Sequence, residues 1–146
     1  MVKIEQIMSR EVIHVQMDDM LYQVREIFAT SGFHHLPVVE KNQLMGIVSD
    51  RDLLRALSPA LGTLSEQTRD LCTLNIRVHQ IMTRNPICLF TETSLTECIT
   101  LFNRYHFSCF PVTNKDYILT GILSWRDVFS FFEKSISLQP DHHGSL

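Results

Sequence analysis

The chain is written twice. "GIVSDRD" at Gly46–Asp52 returns 75 residues later as "GILSWRD" at Gly121–Asp127, with five of seven positions identical. At an offset of 74, "QIMSREVI" (Gln6–Ile13) lies over "QIMTRNPI" (Gln80–Ile87), and "FHHLPVV" (Phe33–Val39) over "FSCFPVT" (Phe107–Thr113). One extra residue between Lys115 and Gly121 changes the offset to 75. The 146 residues divide into a unit at 1–57, a connecting segment at 58–74, a second unit at 75–133 and a tail at 134–146. A period this long, present only twice, indicates an internally duplicated domain rather than an extended solenoid.

Both units spell strand, helix, strand, strand, helix. "EVIHV" reads as a short strand. "DDMLYQVREIFATSG" offers an Asp N-cap, then Met20, Val24, Ile27 and Phe28 at helical spacing, then Gly32 as a stop. The second copy places Leu95, Cys98, Ile99 and Phe102 on the matching face behind the capping-box pattern Ser94–Glu97. His106 stands where Gly32 stood, so this helix is expected to end less cleanly. "HHLPVV" and "LMGIVS" around "EKNQ" read as a hairpin, and "DRDLLRAL" and "WRDVFSFF" open the closing helices.

One such unit cannot bury both faces of a three-stranded sheet, whereas two packed face to face can. The expected fold is therefore α+β, two βαββα units forming a pseudo-twofold pair. The connector breaks at Pro59 and Gly62 and then offers a helix start at "TLSE", with Leu64, Thr68, Leu71 and Cys72 along one side; it is expected to be an ordered helix. The tail from 134 is expected to be disordered.

Thirteen Lys and Arg are scattered without a basic stripe, and the net charge is −3, which disfavours nucleic acid or an anionic membrane as partner. The start "MVKIEQIMSR" has no signal-like apolar region, and no apolar run reaches membrane-spanning length, so a cytoplasmic protein is expected. Cys72, Cys88, Cys98 and Cys109 form no C-x-x-C pair and read as small apolar residues rather than zinc ligands. There is no nucleophile with a paired base, no metal-ligand cluster and no Walker or Rossmann glycine loop, so no catalytic residue, metal or obligatory cofactor is expected. "VFSFF" at Val128–Phe132 is too apolar for one exposed face; a core or a dimer contact must absorb it.

The repeated glycine, serine and aspartate admit two readings. The glycine permits a bulge or a close backbone approach. Serine followed three residues later by aspartate is the spacing of an N-cap and the third helical position, so Ser49 with Asp52 and Ser124 with Asp127 suit helix capping. The same atoms suit a nucleotide: the hydroxyl can donate to phosphate or sugar, and the carboxylate can accept from a ribose diol.

The tandem "IMSREVI…FHHLPVV…GIVSDRDLL" and "IMTRNPI…FSCFPVT…GILSWRDVF" resembles paired cystathionine-β-synthase (CBS) domains, the Bateman module, over most of the chain. The short pair with its "DRDLLRALSP" and "LSEQTRDL" connector also looks like the acetoin-utilisation B-type proteins. The resemblance implies an antiparallel pair with two clefts that bind adenosine nucleotides (AMP, ADP or ATP) and report occupancy, without catalysis, to a partner. By position it assigns Ser49, Asp52, Ser124 and Asp127 to hydroxyl and ribose contacts, and His34 and His35 to phosphate. It further places Arg51 and Arg126 at a sometimes basic position, and Ile13 and Ile87 where first-strand backbone meets the base. Self-association as a homodimer is also implied. Ser108 and Cys109 replace the two histidines in the second copy and Trp125 replaces Asp50, so the first copy is expected to be the better anion site. The contrasting expectation is a ligand-free dimerisation or docking scaffold.

Overall fold

The structure is a computed structural model that describes residues 2–137. The first repeat supplies strand β1 (Val15–Gln16), helix α1 (Leu21–Ser31), strands β2 (His35–Glu40) and β3 (Gln43–Ser49), and helix α2 (Asp50–Ala56). After the connector helix α3 (Thr68–Cys72) come β4 (Thr83–Arg84), β5 (Leu89–Phe90), α4 (Leu95–Tyr105), β6 (Cys109–Thr113), β7 (Leu119–Ser124) and α5 (Trp125–Ser137). Strand β1 runs parallel to β2 with Val15 beside Val38, and β5 runs parallel to β6 with Leu89 beside Val112, both pairs displaced by the repeat offset. Strands β2 and β3 form an antiparallel hairpin whose two loop residues, Lys41 and Asn42, both have positive φ (50° and 68°), the twist that a two-residue hairpin requires.

Compact units and sequence repeats do not coincide. One unit comprises Ile13–Ile87 with Asp116–Leu119; the other comprises the described residues up to Val12, Cys88–Lys115 and the described residues from Thr120 on. Each repeat therefore lends its opening dozen residues to the other. In the first of these units Leu21 N–H donates to Ile76 O (2.9 Å); in the second, Leu95 N–H donates to Val2 O (3.1 Å) at the equivalent place. Strand β4 adds to β3, with Gly46 opposite Arg84 and Ile47 opposite Thr83. Its counterpart is the reciprocal pair of hydrogen bonds between Ser9 and Ile122, both 2.9 Å. The loop Asp116–Leu119, where the extra residue of the second copy falls, hydrogen bonds to the β2–β3 hairpin through Leu44 N–H to Tyr117 O and Leu119 N–H to Asn42 O.

The repeated glycine follows from this exchange. A Cβ at Gly46 would lie 2.7 Å from Thr83 O and 2.8 Å from Met82 Sδ; one at Gly121 would lie 2.6 Å from Met8 Sδ and 2.8 Å from Ser9 O. The close approach comes from the borrowed segment. The cores record the same trade. Ile4 and Met8 are buried with Leu89, Phe110, Val112 and Leu123, while Val78 and Met82 are buried with Val15, Leu36, Val38 and Val48.

Four local expectations change. The N-cap of α1 is Met20, not an aspartate: Gln23 Oε1 accepts the Met20 N–H (2.8 Å), and Asp19 instead accepts from Gln16 N–H (2.8 Å). Helix α4 is capped by Ser94 as expected, and it ends as sharply as α1, because His106 adopts the left-handed conformation (φ 55°) that Gly32 adopts at φ 72°. The connector is helical only over Thr68–Cys72 and a following 3-10 turn, Thr73–Asn75, and it presents no apolar side: Leu64 is fully exposed and Leu71 is 47% exposed. It is fastened by a polar residue. Buried Asp70 accepts from the Ser58 hydroxyl (2.6 Å) and the Gln67 N–H (2.7 Å), and those bonds hold its carboxyl below the usual range. Finally, α5 carries residues 134–137 as helix, and the remainder of the expected disordered tail lies outside the described residues.

Two stability outcomes follow. Ile4→Ala removes a fully buried side chain and should cost about 2–5 kcal/mol in chemical denaturation. Hydrogen exchange should show the loss of protection in Cys88–Lys115, not in the first repeat's own strands. His106→Gly should raise stability by about 1 kcal/mol by relieving a left-handed residue that carries a Cβ.

Candidate functional site

Each unit presents one corner where the second hairpin strand turns into a helix. Strand β3 ends at Ser49, held between β2 and β4, and α2 begins at the next residue. Ser49 Oγ accepts the Asp52 N–H (3.1 Å), and Asp52 Oδ2 accepts the Ser49 N–H (2.9 Å). Ser124 and Asp127 repeat this at 3.2 Å and 2.9 Å. The capping reading is thus realised in full. It also leaves something over. Among the described residues, each serine keeps its hydroxyl hydrogen to donate, and each aspartate keeps Oδ1 to accept. All four residues are half-buried, and the cap orients these atoms.

His35 pairs directly across from Ser49 in the β2–β3 ladder. Burial lowers its pKa; Asp50 and Asp52 pull it upward, while His34 and Arg51 push it down. His34 lies just outside the strand, on the exposed side. Its Nδ1 donates to Asp50 Oδ2 (2.9 Å), a bond that lowers the Asp50 carboxyl pKa, and its carbonyl accepts the Asp50 N–H (3.0 Å). The adjacent histidines therefore divide: His35 faces the serine–aspartate corner and His34 closes the edge of α2. Arg51 and Arg126 are exposed at the starts of their helices.

The second corner keeps the backbone and changes the chemistry. Ser108 O accepts the Trp125 N–H (3.2 Å), as His34 O accepts from Asp50. Cys109 takes the place of His35, and its thiol pKa is raised by burial despite a hydrogen bond from Ser108, with the Asp127 charge raising it further. Neither Ser108 nor Cys109 offers a cation. Ile13 and Ile87 stand at two of the four points where the chain passes from one unit to the other, 46% and 37% exposed. Cys98 is a core residue whose thiol burial pushes up to about 12, whereas Cys72 is exposed. No group of three metal-ligating side chains occurs among the described residues, and no described helix is long and apolar enough to cross a membrane.

Two contributors escaped the sequence reading. Met8 and Met82, which press on the glycines, were visible as the shared "QIM" of both repeats but carried no assigned role. The His34–Asp50 pair left only the trace that Asp50 and His34 change together, to Trp125 and Ser108, in the second copy.

The sequence model of the CBS domain matches residues 4–59 and 78–134, and the chain belongs to that family as a CBS pair. It is 28% identical over 141 residues to a CBS domain-containing protein of Dictyostelium discoideum, covering 95% of this chain and 97% of that one. The fold matches the crystal structure of a protein assigned to acetoin utilization, AcuB, from Vibrio cholerae, over 99% of both chains (TM-score 0.79, 23% identity). It also matches CBSX2 of Arabidopsis thaliana, solved in complex with AMP, over 92% of this chain and 98% of that one (TM-score 0.76, 24% identity). Other solved structures of similar fold hold ATP, or 5′-methylthioadenosine with S-adenosylmethionine. Several curated relatives are much longer than the region they share: the chain spans 46%, 24% and 23% of three of them, the latter two named as enzymes.

A pH dependence follows from His35. Its folded-state pKa lies below the unfolded value near ~6.5, so the unfolded chain binds the proton more readily. Stability should be full above that value and fall as the pH drops through it. Denaturation midpoints at pH 8 and pH 5 should differ less in His35→Gln than in the unaltered chain.

Proposed function

We propose that this protein is a non-catalytic regulatory module that binds an adenosine nucleotide of the AMP, ADP or ATP class at its serine–aspartate corners. The observation that carries this reading is the spare hydrogen-bonding capacity of the two capping boxes, a hydroxyl donor and a carboxylate acceptor fixed side by side in each unit. Asp52 or Asp127 accepts from the ribose diol, and Ser49 or Ser124 donates to sugar or phosphate. The AMP complex of CBSX2, which shares the fold, supports the ligand class.

The first corner is the stronger anion site, because His35 sits across from Ser49 and Arg51 adds positive charge nearby. A bound phosphate would favour the imidazolium that burial disfavours. His34 is a lesser contributor, its ring nitrogen being engaged with Asp50. Arg126, Ile13 and Ile87 complete the set, the isoleucines through their backbone at the base. Regulation requires the nucleotide to prefer one arrangement of the pair or of a homodimer, since equal affinity shifts nothing. The output then passes to an effector protein in trans. The capping boxes also favour a second reading, a docking scaffold whose motifs act only as helix caps.

Calorimetry and melting with AMP, ADP, ATP and S-adenosylmethionine separate the readings. A ligand at 100 times its dissociation constant should stabilise the chain by about 2.7 kcal/mol. Asp52→Ala should weaken nucleotide binding about tenfold or more, and more than Asp127→Ala does. The reverse order would move the site to the second corner; unchanged melting across the panel would favour the scaffold.

A further inference from the structure

The two corners differ in whether their charge can change. Around the first, the carboxylates of Asp50 and Asp52 outnumber the one guanidinium, Arg51. With its imidazoles neutral, this corner has no net positive charge to offer a phosphate, which carries about −1.5 to −2 charges at pH 7. At the second, Arg126 balances Asp127, and Ser108 and Cys109 supply no imidazole. Burial keeps the Cys109 thiol protonated at neutral pH, so the second corner has nothing that titrates there to meet an anion.

His35 is the group that can tip the first corner. Opposed residues of an antiparallel ladder send their side chains to one face, with Cβ atoms about 4.5–5.5 Å apart. His35 opposes Ser49, so its half-buried imidazole shares a face with the capping hydroxyl. His34 Nδ1 is already bonded to Asp50 Oδ2 (2.9 Å). The charges acting on His35 are Asp50, Asp52 and Arg51 from α2 and His34 from the approach to β2, while β3 sets the neutral Ser49 against it. Without ligand, loss of hydration outweighs the pull of the two carboxylates and favours the neutral ring. A phosphate beside the ring adds the negative charge that reverses this balance.

We propose that the first corner is a proton-linked site, at which a nucleotide phosphate and a proton taken from solvent onto the His35 imidazole bind together. This rests on the nucleotide reading above and adds a regulation to it. The linkage is reciprocal: phosphate raises the proton affinity of His35, and the proton raises the affinity for nucleotide by the same factor. Affinity therefore climbs as the pH falls from 8 and levels off once the free imidazole is itself protonated. Occupancy of the first corner reports nucleotide and acidity together, whereas the second corner answers to its ligand alone.

The test is titration calorimetry of the full chain with AMP, ADP and ATP at pH 8 and pH 6.5, in pairs of buffers that differ in ionisation enthalpy. Net proton uptake and an affinity about threefold or more higher at pH 6.5 are expected. His35→Gln, which meets the same titration of the ligand, should show neither effect. His35→Arg, charged at every pH, should bind at pH 8 about threefold or more tighter than the unaltered chain and take up no proton. Adenosine, which lacks the phosphate, should bring no proton with it. Nucleotide binding without proton uptake, or uptake that persists in His35→Gln, would overturn the proposal and leave the nucleotide reading standing. Binding of none of the three at either pH would overturn both.

Discussion

At Gly46 and Gly121 a borrowed segment runs antiparallel against the second strand of the hairpin with no room for a side chain between them. Met82 and the Thr83 carbonyl occupy that space in one unit, and Met8 and the Ser9 carbonyl occupy it in the other. The two methionines then continue into the cores beneath, so a single close approach both extends the sheet and fills the interior. The serine–aspartate corner lies three residues further along the same strand. Because β3 is clamped between β2 and β4, the point at which Ser49 leaves the sheet is fixed, and with it the direction in which the capping box faces. Core closure and site geometry thus share one cause.

Most of the element order was legible in the sequence, because apolar periodicity and turn residues report on local structure and the repeat supplies an internal control. The fold class follows from those signals, and the CBS architecture from the resemblance that the repeated motifs carry. What the sequence could not show is which repeat each opening segment serves. "QIMSREVI" has the same apolar pattern whether it packs on its own unit or the other, since burial of Ile4 or Met8 is non-directional and carries no address. The connector misled for a related reason. Its leucines sit at helical spacing, but Pro59 and Gly62 break the chain and Asp70 anchors it through hydrogen bonds, which leave no apolar period to read. His106 gave no warning either: a left-handed cap on a histidine has a cost, and only the surrounding packing sustains it.

The serine–aspartate pairs were legible as a choice between capping and binding; the geometry shows the capping and leaves atoms over for the proposed binding. One lone pair of each serine and one oxygen of each aspartate serve the helix, while the remaining atoms are held in a fixed orientation by that same cap. Preorganisation of this kind lowers the entropy lost when a ligand docks. The difference between the corners rests on single positions rather than on the backbone. His35 and Cys109 occupy equivalent ladder positions, both desolvated, but only the imidazole can accept a proton to meet an anion.

The trade of opening segments has a consequence for how such a chain could arise. A gene encoding one repeat alone would make a unit lacking the strand and methionine that close it, and two separate copies could satisfy one another only by reciprocal donation. Fusion of the two genes converts that encounter from a bimolecular event, sensitive to dilution, into one governed by tether length. Once fused, each half is free to diverge at its serine–aspartate corner but not in its first dozen residues, which answer to the neighbour rather than to their own half.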